Sequence, residues 1–144
     1  MDEFLVKLDE FKILNEEYPL GYIRDINSCI GLLIHKDNAT IMYHLAAFED
    51  GNIPSLEVLN GVLGDNTEVV EIFKGPNTHE KNVITIINVL LDKGISYVIK
   101  DIFIDKSNQT SLGFDYANKN YYSVEMNIGK PEFVLEYSLG QMSK

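Results

Sequence analysis

The sequence predicts a single α+β domain, with β-sheets packed face to face and helices outside. Three observations carry this. The chain has 144 residues, of which 45% are hydrophobic, enough to fill one core. Eight short stretches read as strands and only two as helices. The strand stretches alternate apolar and polar residues or run apolar throughout, as sheet faces buried on one or both sides do.

Taken in order, Phe4, Val6 and Leu8 alternate with polar residues and predict a strand near 3–8. Residues 29–35 and 40–46 read as two apolar strands joined at Lys36-Asp37-Asn38-Ala39, whose centre suits a two-residue turn. Ser55 to Leu63 reads as a short helix closed by Gly64, and Glu68 to Phe73 as a strand. The next helix has the clearest signal. Asn77 or Thr78 can cap it, and Val83, Ile86, Ile87, Leu90 and Leu91 fall on one helical face. Gly94 sits where a C-terminal cap is wanted. Strands are expected at 96–104, 109–116, 121–128 and 132–137. In the third of these, Tyr122, Val124, Met126 and Ile128 form the apolar face of a half-buried strand.

Charge narrows the partners. The formal charge is −10, which argues against nucleic acid and against an anionic membrane surface. The start, Met-Asp-Glu, has no basic region preceding an apolar one, and the longest nearly apolar run, 83–91, is too short to span a bilayer. The expectation is a cytoplasmic protein; delivery into another cell without a signal peptide stays open. The single cysteine, Cys29, rules out an intrachain disulfide. The three histidines are scattered, without metal-ligand spacing, and no metal or other cofactor is expected.

Cysteine with histidine can supply a nucleophile and its base. If Asp37 and Asn38 make the turn, Lys36 pairs with Ala39, Gly31 with His44 and Cys29 with Ala46. Cys29 and His44 are then diagonal neighbours on one sheet face, with Cα atoms ~7–8 Å apart. Gly31 leaves room for the imidazole to lean into hydrogen-bond reach of the sulfur. A slip of one residue would separate them. Against this stands an inert buried thiol and a histidine satisfied in the core. His35, near the turn, reads as a surface residue, and His79, in the first turn of the long helix, as exposed.

The run Asn27-Ser28-Cys29-Ile30-Gly31-Leu32-Leu33-Ile34, followed by Ala39-Thr40-Ile41-Met42-Tyr43-His44-Leu45, resembles the CheD chemoreceptor glutamine deamidases. Their signature is Gly-Ser-Cys ahead of an apolar strand, then a strand carrying the histidine. Glu71-Ile72-Phe73-Lys74-Gly75 looks like a further family segment, and Asn82, Gly94-Ile95, Asp101 and Gly113 follow in similar order. The cytotoxic necrotizing factor-type deamidase toxins share the fold and the cysteine–histidine pair. The resemblance implies an α/β/β/α layered sandwich with mixed or antiparallel sheets. It implies a protein-glutamine deamidase whose nucleophile is Cys29 and whose acid/base is His44, acting on a protein substrate with a reactive glutamine. It also implies a setting in chemotaxis, or as a bacterial effector or toxin. Ser28 and its neighbour Asn27 would support the oxyanion; Asn27 stands where the family has glycine. Ile23 stands where the family often has a threonine that orients the histidine. In the toxin branch a backbone carbonyl does that work. The alternative is a catalytically inactive CheD-like chain, or a small acidic immunity- or inhibitor-type binding protein.

Overall fold

The computed structural model describes residues 3–64 and 66–138. The fold class is α+β: the described residues form ten strands and two helices, with the strands in two mixed or antiparallel sheets. The first sheet contains β1 (Phe11–Leu14), β3 (Ile30–Lys36), β4 (Ala39–Leu45), β5 (Thr67–Lys74) and β6 (Ser96–Asp101), in the order β1-β4-β3-β5-β6. The second runs β10-β9-β8-β2, from Lys130–Ser138, Asn120–Asn127, Thr110–Asp115 and Leu20–Arg24. The short β7 (Phe103–Ile104) pairs with β8.

Strand alternation sorts the first sheet into two faces. Ile30, Leu32, Ile34, Ile41, Tyr43, Leu45, Val70 and Ile72 face the helices α1 (Leu56–Val62) and α2 (Glu80–Asp92). Leu33, Met42 and Phe73 face the other way, against Ile23, Leu112, Phe114 and Tyr121 of the second sheet. Both helices therefore lie on one side. The outer face of the second sheet carries no helix among the described residues. Instead, Phe133 packs its ring against Tyr22 and Tyr122, at centroid distances of 5.5 and 5.7 Å. The layering is α/β/β, and the fourth, helical layer implied by the resemblance is replaced by this aromatic cover.

Local signals placed most elements. The β3–β4 hairpin has the expected register: Lys36 opposite Ala39 and Gly31 opposite His44. In α2, Val83, Ile86 and Leu90 are buried, Ile87 is half-buried, and Leu91 is exposed. The apolar stripe is thus one residue narrower than the periodicity suggests. Gly94, at φ +69°, ends the helix as expected. Its N–H donates to the Leu91 carbonyl, and the Ile95 N–H to that of Leu90. The N-cap position is His79 rather than Asn77 or Thr78, and α1 is capped at Leu63, one residue before Gly64.

Two expectations fail, and one strand carries no signal in the sequence. Residues 3–8 form no strand; they contribute one bridge, Leu5 to Tyr22, and the first strand begins at Phe11. The stretch 20–24, without a distinctive pattern, is a strand of the second sheet. In β9 only part of the expected face is covered: Val124 is fully buried and Tyr122 half-buried, but Met126 is exposed and Ile128 is 95% exposed, while Tyr121 and Ser123 of the opposite face are nearly inaccessible. Ile128 sits in the two-residue turn to β10 at φ 51°, followed by Gly129 at φ 75°.

Candidate functional site

Cys29 lies one residue before β3, on the inter-sheet side, packed against the core between the sheets. Three contacts hold its loop. The Asn27 carbonyl accepts from the Asn77 N–H at 2.8 Å. The Thr78 hydroxyl donates to the Cys29 carbonyl at 2.8 Å and accepts from the Gly75 N–H at 2.8 Å. Gly75 itself lies so close that a Cβ there would stand 2.2 Å from the Ile26 carbonyl oxygen.

His44, on β4, is 6% exposed. The N-terminal segment crosses over it: the Asp9 N–H donates to the His44 carbonyl, and the His44 N–H to that of Glu10. Nδ1 of the ring is 3.4 Å from the Val6 carbonyl oxygen. A carbonyl only accepts, so Nδ1 carries the proton and Nε2 holds the lone pair. Nε2 is buried and has no hydrogen-bond partner among the described residues. Val6 thus occupies the orienting role that Ile23 cannot fill. Ile23 is fully buried between the sheets and has only hydrocarbon to offer.

Cys29 and His44 line one cavity of about 400 Å³, with Val6, Tyr22, Arg24 and Asp25 among the other walls. They share a face, as the register requires, but they do not reach each other. With His44 Nε2 unpartnered, the expected near-bonding contact is absent. The ring is drawn toward Val6, and the cysteine sits beyond the end of the β3 ladder. Burial pushes the Cys29 thiol up; hydrogen bonds from the Ala47 backbone and the Ser28 side chain offset it only in part. Burial also pulls the His44 imidazole down, against the Val6 carbonyl and the carboxylates of Asp9 and Asp25. At neutral pH the resting pair is therefore a thiol and a neutral imidazole. Asn27 is exposed and Ser28 half-buried beside the thiol.

A second polar cluster lies between the sheets. His35 is not a surface residue: its Nε2 donates to Glu71 Oε1 at 2.5 Å, and its Nδ1 shares a hydrogen bond with the Thr40 hydroxyl at 2.9 Å. Glu71 also accepts from Tyr121 at 2.5 Å and from Lys100 at 2.6 Å. Burial would raise the Glu71 carboxyl, but the bonds from His35, Lys100 and Tyr121 outweigh it and hold the group below the usual range. Burial and the adjacent Glu71 carboxylate drive the Tyr121 phenol up. The alternation at 121–128 points to the wrong face for Tyr121, and nothing local joins residues 35, 71, 100 and 121. His79 is half-exposed, with Nε2 3.5 Å from Glu49. Among the described residues no three His, Cys, Asp or Glu side chains are grouped to hold a metal ion. None of their helices is long and apolar enough to cross a membrane.

Fold and site together define a two-sheet α+β protein with a cysteine and a histidine lining one cavity. No protein-family model matches the chain, and no curated protein matches it significantly.

Proposed function

We propose that the chain is a protein-glutamine deamidase in which Cys29 is the nucleophile and His44 the acid/base. One observation carries the reading: Cys29 lines the same cavity as a buried histidine whose Nε2 lone pair has no partner. A buried polar atom without a partner costs free energy, and a substrate arriving at the cavity gives it a use.

In this mechanism the substrate carboxamide enters beside Sγ and His44 Nε2 accepts the thiol proton as sulfur attacks the carbonyl carbon. Backbone N–H groups at Ser28 and Cys29 receive the oxyanion, each donor worth roughly 3–4 kcal/mol in comparable acyl transfers. Collapse breaks the C–N bond, and the imidazolium returns its proton to the departing ammonia. The thioester is then hydrolysed by a water that His44 deprotonates, releasing glutamate and the thiol. Because burial holds His44 below its ordinary value, the neutral base persists to lower pH than a free imidazole would allow.

The test is incubation with candidate partner proteins and mass spectrometry for the gain of roughly 1 Da that a Gln-to-Glu change through an activated cysteine produces. Cys29→Ser and His44→Ala should each lower the rate at least ~10³-fold while the fold survives. A Cys29→Ser protein as active as wild type would remove the assignment. The raised Cys29 thiol also suits an inactive relative that only binds a partner. In that case wild type and Cys29→Ser would bind the partner alike, and neither would change its mass.

A further inference from the structure

Arg24 closes β2 and lines the same cavity as Cys29 and His44. Its Nε is buried and has no hydrogen-bond partner among the described residues. The chain has 22 acidic and 12 basic residues, so carboxylates are abundant. Yet no ion pair among the described residues involves Arg24, not even with its neighbour Asp25 on the same wall. Lys100, half-buried like Arg24, shows the contrast: its ammonium is met by Glu71 and by the Tyr137 hydroxyl at 2.8 Å. Buried guanidinium donors are ordinarily paired, because leaving one unmade costs its full desolvation.

We infer that Arg24 is a substrate-binding residue that receives a carboxylate, so that the substrate carries an acidic group beside its reacting carboxamide. This rests on the deamidase reading of the cavity. A guanidinium presents planar, paired N–H donors that match a carboxylate's two oxygens. Lys7 adds a second cation to the lining. Asp25, on the same wall, disfavours a doubly charged phosphate. The cavity, about 400 Å³ and walled otherwise by Leu5, Leu8, Tyr22 and Met126, suits a side-chain-sized organic acid. An acidic residue next to the target glutamine fits this description.

The probes are iodoacetate and iodoacetamide, of similar size and differing in one negative charge. Cys29 is the only cysteine, so alkylation read by intact mass reports this site alone. The measurement is the ratio of the iodoacetate to the iodoacetamide rate constant in the full chain, divided by the same ratio for N-acetylcysteine. On net charge alone, a −10 protein should repel the anion and give a quotient below one. A carboxylate seat at Arg24 should raise the quotient roughly tenfold above one, the effect of a single charge-assisted hydrogen bond. Arg24→Gln should return it to one or below, and Arg24→Lys should keep part of the gain. A quotient at or below one in the wild type would overturn the inference. So would one unchanged in Arg24→Gln, or a Cys29 that excludes both reagents. Loss of the deamidase reading is a separate result: the quotient would stay high while Cys29→Ser deamidated a glutamine as fast as wild type.

Discussion

Two histidines on one hairpin, on the same sheet face, have opposite environments. His35 and His44 both point between the sheets from β3 and β4, one toward each end of the hairpin. The cavities beside them are nearly equal, about 420 and 400 Å³, so volume does not distinguish them. Hydrogen bonding does. Both nitrogens of His35 are bonded, and Glu71 beside it receives His35, Lys100 and Tyr121. His44 has one long contact and one unpartnered nitrogen. A satisfied cluster ties β3, β5, β6 and β9 together; the unsatisfied Nε2 of His44 leaves an acceptor without a partner. Polar groups in an interior of low dielectric are costly unless paired, so their pairing separates support from site.

The comparison breaks most visibly at Glu71. Glu71→Gln leaves the Lys100 ammonium without its carboxylate and should cost ~3 kcal/mol in a urea melt. His44→Gln removes only the 3.4 Å contact to Val6 and should cost less than ~1.5 kcal/mol by the same measurement. Equal losses would erase the distinction between the two histidines.

Gly75→Ala is expected to come next. Its Cβ would meet backbone carbonyl oxygens of Ile26 and Asn27, not a side chain that could swing away. Stability should fall by ~1–3 kcal/mol, as for overpacked sites. Deamidation should fall further than that loss explains, because the strain is delivered to the loop that carries Cys29. Unchanged activity in the folded variant would show that the loop tolerates the shift.

The smallest expected effects are in the pH dependence of stability. Glu71 has a folded value below its ordinary 4.5, so the unfolded chain binds its proton first. The stabilisation is present above pH 4.5 and is lost as pH falls through the depressed folded value. Glu71→Gln should flatten that acid limb. His44 is lowered from 6.5, so the unfolded chain again takes up the proton first, but in a higher window. Stability should begin to fall as pH drops through 6.5, and His44→Gln should remove that decline. Denaturant midpoints measured from pH 8 to 3 separate the two; a single shared window would contradict the assignment.

The sequence by itself determined what neighbours in the chain decide. The Asp37-Asn38 turn fixed the pairing of β3 with β4, and hence that Cys29 and His44 share a face. Periodicity and Gly94 fixed α2, since helix bonds and caps reach only three to five residues. Alternation in β9 showed two faces but not which one another sheet would cover, so Tyr121 was hidden and Ile128 misplaced. Tertiary structure alone brought Val6 to His44, 38 positions apart, and Tyr121 to Glu71, 50 apart. It alone put Arg24 on the wall of the cysteine cavity. The physical reason is range: turns, caps and register are set by local backbone geometry, whereas the partner of a buried polar group depends on which distant strand the hydrophobic core brings beside it.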